Sequence, residues 1–204
     1  MNVDFSSSVV PSGFNRDHRQ ELIEGYSTWI AQHVKAGWTP YLFTFMFNPL
    51  AGAQQVQMAQ MHEEITTVYR KLATRVVRKP RSVIHSQLLP KGVFFLDAPV
   101  YKRQKQRLRD VSVNDGLHMH GVVVAQRTRR LQAGLDEHFR DNQGIYLTPK
   151  LYRIHVKLID HLPFYVTEYA GKALKSPRFT GDDVLILPRS IDELRDQRVL
   201  TDEA

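Results

Sequence analysis

Gly116-Leu117-His118-Met119-His120-Gly121-Val122-Val123-Val124-Ala125 is the stretch from which the rest of the chain can be read. The valine run and its apolar flanks predict a strand over residues 117–125. Successive strand side chains point to opposite faces, so His118 and His120 project together while Met119 points away. Two imidazoles on one face are close enough to chelate one divalent cation. Gly121 is expected to leave room for a ligand or another backbone.

Upstream, residues 93–100 predict a second strand, interrupted by Asp97. An unpaired carboxylate is costly in an apolar strand, so a metal or another cation is expected beside it. If the two strands form a hairpin with Val100 near Leu117, Asp97 lies opposite His120 and completes the ligand set. Asp110, Asp115, His85 and Gln87 are rival third ligands. Residues 102–109 form a charged hairpin tip or loop that carries Lys102, Arg103 and Lys105.

Further out, Leu22, Tyr26, Ile30 and Val34 recur every four residues, which predicts a helix over 17–35 closed by Gly37. Tyr41-Leu42-Phe43-Thr44-Phe45-Met46-Phe47 reads as a buried strand. Met61, Ile65, Val68, Leu72 and Val76 form the stripe of a long helix over 53–78, which Pro80 ends. Residues 151–159 alternate as a strand, and Pro163 opens a helix to about 174. A short strand at 184–187 and a helix at 191–198 complete the reading. The class is α+β, with helices on a mostly antiparallel sheet. Residues 1–15 read as an extended arm and 16–204 as one domain with its core over about 40–175.

The 204 residues are 42% hydrophobic and 10% aromatic, enough for a real core. With no cysteine, disulfides and thiolate metal sites are excluded. No apolar run approaches the ~18 residues of a membrane span, and residues 1–12 lack the features of a signal peptide. The cytoplasm is the expected location. The net charge of +7 suggests an anionic partner such as nucleic acid. Arg78, Lys79 and Arg81 cluster after the long helix, and Arg127 and Arg129 follow the histidine strand. These groups and the 102–109 segment are the expected DNA contacts, with the 102–109 and 127–130 clusters flanking the active site.

Phe164-Tyr165-Val166-Thr167-Glu168-Tyr169-Ala170-Gly171-Lys172 is the second informative stretch. Residues four apart share a helix face, so Tyr165 and Tyr169 project together, with Lys172 about one turn on. A phenol, with a pKa of about 10, becomes a nucleophile toward a phosphodiester when a cation stabilises the phenolate and a metal polarises the phosphate.

Taken in order, the apolar strand at 41–47, His118-Met119-His120 and Tyr165–Lys172 resemble the HUH endonucleases. The two-tyrosine branch, which contains rolling-circle replication initiators and some transposases, looks closest. The resemblance spans roughly 40–175. It implies a five-stranded antiparallel sheet with flanking helices around a ferredoxin-like or RRM-like core. It also implies Tyr165 and Tyr169 as nucleophiles, Lys172 beside them, and His118 and His120 as ligands of Mn²⁺ or Mg²⁺. The reaction it implies is nicking and rejoining of single-stranded DNA, including a hairpin origin, through a 5′-phosphotyrosine. Asp97 stands at no fixed family offset. No helicase segment follows the tyrosine helix, so a host helicase or an already single-stranded substrate is expected. Two other readings compete. One is a noncatalytic basic nucleic-acid-binding module in which Phe43, Phe45 and Phe47 stack bases. The other is a metallo-oxygenase using two histidines and a carboxylate.

Overall fold

The aromatic strand β1 (Thr39–Phe47) and the histidine strand β3 (His118–Ala125) pair antiparallel at the middle of a five-stranded sheet. β2 (Lys91–Asp97), β4 (Leu151–Leu158) and β5 (Leu185–Leu187) complete it in the order β4-β1-β3-β2-β5, with every pairing antiparallel. The helices are α1 (Arg16–Lys35), α2 (Gln54–Val76), α3 (Val83–Ser86), α4 (Leu135–Asn142) and α5 (Pro163–Ala170). This computed structural model describes residues 16–97, 113–160, 163–172 and 183–189. The arm at 1–15, the basic segment at 102–109 and the helix expected at 191–198 lie outside the described residues.

Period-two alternation gives the sheet two different faces. On one, Phe43 packs edge-on against Phe139 of α4 at 5.2 Å, and Phe45 meets Phe94 at 5.9 Å. Phe43, Phe45 and Phe47 are all buried, so they are core residues and offer no platform for stacking bases. Lys71 and Glu64 of α2 bond the Ile145 carbonyl and the Thr148 hydroxyl, which ties α2 to the chain after α4. On the other face α1 and α5 pack on each other and over β2 and β3. There Tyr26 meets Phe95 at 6.0 Å.

Gly121 faces α2 and α4, away from the histidines. It pairs with Phe94, and an added Cβ would overlap the Phe94 ring. The room at Gly121 is therefore filled by core packing and not kept for a ligand. The expected helices and strands are present within a residue or two where described. α4 was not foreseen, because only Leu135 and Phe139 mark its buried side within a charged segment.

Candidate metal centre

His118 and His120 occupy the first turns of the pleat in β3, on the face beneath α1 and α5. Asp97 is the last residue of β2 and pairs with His118, while Phe95 pairs with His120. The register is two residues from the one expected, which put Asp97 opposite His120. A shift of two keeps every side chain on its face, so Asp97 still meets both histidines. Asp97 Oδ2 lies 3.4 Å from His120 Nε2 and 3.7 Å from His118 Nε2, and the two Nε2 atoms are 3.1 Å apart. One ligand atom from each of the three residues lies within 4.8 Å of the others. Among the described residues this is the only such group.

The surroundings set the tautomers. His118 Nδ1 donates to the Gly116 carbonyl at 2.9 Å, which leaves Nε2 as the unprotonated nitrogen, an acceptor 3.1 Å from His120 Nε2. Gly116 is at φ 74°, which glycine adopts without strain. Asn114 fixes the turn from below: its side chain accepts from the Leu50 amide at 2.7 Å and donates to the Asn48 carbonyl at 3.0 Å. His120 Nδ1 meets the Thr44 hydroxyl at 3.0 Å. With its proton on Nε2 for the bond to Asp97, His120 accepts from the Thr44 hydroxyl at Nδ1; a cation at Nε2 would place the proton on Nδ1, with Thr44 Oγ1 as its acceptor. Such outer partners orient metal-ligating imidazoles. Sequence reasoning did not single out Thr44; its signal is that it is the one hydroxyl between Leu42 and Phe47 and shares a face with Leu42 and Met46. Thr44→Val should weaken Mn²⁺ binding about 10- to 100-fold by calorimetry. Unchanged affinity would mean that packing alone holds His120.

Electrostatics favour the ligand-competent forms. Burial lowers the His118 pKa, and the His120 imidazole lowers it further, so His118 is neutral near pH 7. Burial works against the Asp97 carboxylate. Hydrogen bonds from His120 and Lys172, with the charges around it, outweigh burial and hold its pKa below the usual range. An ionised carboxylate beside the neutral His118 imidazole suits a divalent cation. Asp97 is 3% exposed, so its charge needs this company.

Lys172 ties the tyrosine helix to the ligand set. α5 ends at Ala170, and a tightened turn brings Lys172 Nζ to 3.0 Å from Asp97 Oδ2. The same nitrogen lies 4.2 Å from the centre of the Tyr169 ring. Desolvation pulls the Lys172 pKa down, but Asp97 and Tyr169 raise it more, so the ammonium persists. Tyr169 is 49% exposed and Tyr165, one turn back, is 62% exposed. The opposite side of α5 is anchored by the buried Thr167 and Ala170.

The structure does not bring the basic clusters to this centre. Arg78, Lys79 and Arg81 precede Lys91, which pairs with Val124 at the far end of β3. Arg127 and Arg129 follow Ala125 there, and the neighbouring Thr128 bonds the Val76 carbonyl. That end is about 23 Å along the strand from His118. His85 and Gln87, rival third ligands, also belong to that end. Asp110, the Asp115 side chain, Lys102, Arg103 and Lys105 lie outside the described residues. Neither a family model, nor a curated protein, nor a solved structure matches this chain.

Proposed function

We propose that the protein is a tyrosine-dependent, metal-requiring nickase and rejoining enzyme for single-stranded DNA, as the resemblance to the two-tyrosine HUH branch implies. The observation that carries this reading is Lys172, which contacts Asp97 of the ligand set and Tyr169 of the nucleophile helix at once. A metal site without a nucleophile, or tyrosines on a remote helix, would not support it.

His118 and His120, through Nε2, and Asp97 would hold Mn²⁺ or Mg²⁺. When bound, such a cation supplies Lewis-acid polarisation of the scissile phosphate. Tyr169 is the nucleophile for the first cut, because Lys172 stands against its ring and stabilises the phenolate. Its oxygen bonds to phosphorus as the bond to the 3′-oxygen breaks. The phenol proton passes to solvent, and the 3′-oxygen takes one up. The product is a 5′-phosphotyrosine and a free 3′-hydroxyl. Tyr165, exposed on the same helix face, attacks in a later strand transfer. Transesterification conserves the phosphodiester energy, so rejoining needs no ATP. Replication initiation and transposition are both served by this cycle.

Two imidazoles and a carboxylate also suit Fe(II). Iron oxidation chemistry assigns no task to Lys172 or to the tyrosines. The test is incubation with mixed single-stranded oligonucleotides and Mn²⁺, followed by a denaturing gel. A slower-migrating protein–DNA adduct is expected with Mn²⁺ and not with EDTA. Binding indifferent to EDTA with no adduct would leave a noncatalytic binding module instead.

A further inference from the structure

The outer strand β4 carries charge that the chemistry above does not use. Ile154 and Val156 turn toward the core on the α4 side, whereas Arg153, His155 and Lys157 are exposed. Strand pairing carries this stripe to the metal centre. Thr44 pairs with His120 on one side and with His155 on the other. Its hydroxyl contacts His120, so all three residues share one sheet face. Arg153 and Lys157 flank His155 on that face, paired with Met46 and Leu42. Two strand spacings, roughly 10 Å, separate His155 from His120. α1 and α5 pack over β2 and β3 on this side and leave the stripe on β4 exposed. Among the described residues no ion pair engages Arg153 or Lys157.

We propose that Arg153, His155 and Lys157 form a phosphate track that holds the backbone of a single-stranded DNA beside the Asp97–His118–His120 set. This rests on the strand-nicking reading and names where its substrate lies. Side chains at two-residue steps are about 7 Å apart along a strand, so Arg153, His155 and Lys157 form an open rail and not a closed pocket. A guanidinium grips a phosphate through two hydrogen bonds, and an ammonium adds a point charge. Phosphate contacts fix position and register without reading sequence. Charged side chains on an edge strand also discourage edge-to-edge pairing between molecules. Self-association is therefore the rival role.

Binding of a labelled mixed-sequence single strand, measured in EDTA across a salt series, separates the track from the chemistry. Loss of two phosphate contacts in Arg153→Ala/Lys157→Ala should flatten the salt slope by about 1.4, or roughly a sevenfold smaller loss of affinity between about 50 and 200 mM salt. Mn²⁺ affinity and melting temperature should stay at the wild-type values, and Arg127→Ala/Arg129→Ala should leave adduct yield at limiting DNA higher than the β4 variant does. A β4 variant with the wild-type slope overturns the track, as does one that only self-associates. Wild-type protein that binds the strand in EDTA but forms no adduct with Mn²⁺ overturns the nicking reading and leaves the track standing as a binding surface.

Discussion

Tyr165→Phe/Tyr169→Phe, given a single strand and Mn²⁺, should form no covalent adduct while still binding both. The loss in nicking rate should be on the order of 10⁴-fold or more, because no other side chain on α5 replaces the nucleophile. Both rings are largely exposed, so the missing hydroxyls leave no buried polar group unpaired and the fold persists. The single variants should differ. Tyr169→Phe should remove most of the first cut, since Lys172 stands against that ring. Tyr165→Phe should spare the first cut and impair later strand transfer. An adduct of normal yield from the double variant would end the tyrosine assignment.

His118→Ala/His120→Ala should abolish measurable Mn²⁺ binding, a loss of more than about 100-fold, since even outer-shell partners are worth 10- to 100-fold. Calorimetry on the purified variant reads this directly. The fold should survive the change. His118 is neutral near pH 7, and Asp97 keeps its ion pair with Lys172 at 3.0 Å, so no orphaned charge is left in the sheet. Wild-type Mn²⁺ affinity in this variant would move the metal elsewhere.

Much of the site was legible before the structure, for physical reasons particular to each residue. The histidine pair followed from strand alternation, and Asp97 from the cost of a carboxylate in an apolar strand. The hairpin register did not follow, because the Asn114-Asp115-Gly116 turn stands next to β3 and the long chain before it leaves the β2 partner unset, and the expectation was two residues off. The basic residues after Ala125 are neighbours of the histidines in sequence only. An extended strand carries them to the opposite end of the sheet. Thr44 and the β4 stripe were hidden for a related reason. Their closeness to His120 depends on β1 lying between β3 and β4, and strand order is not written in local periodicity. α4 was hidden by its charge, with two buried residues in eight.

β3 has a strand on each side, and that has a consequence for motion. Its backbone pairs with β2 from His118 to Val124 and with β1 from Met119 to Ala125, so His120 has a strand on each side and His118 pairs with Asp97 alone. Opening it at His120 means breaking both ladders, so that ligand position is held by the middle of the sheet. α5 is a helix of eight residues packed on α1, and just past its end Lys172 reaches Asp97 of the sheet. In the proposed strand transfer the metal ligands would stay on the sheet and the tyrosines would ride on the helix, so a shift between steps would fall on α5, within the limits set by its packing on α1.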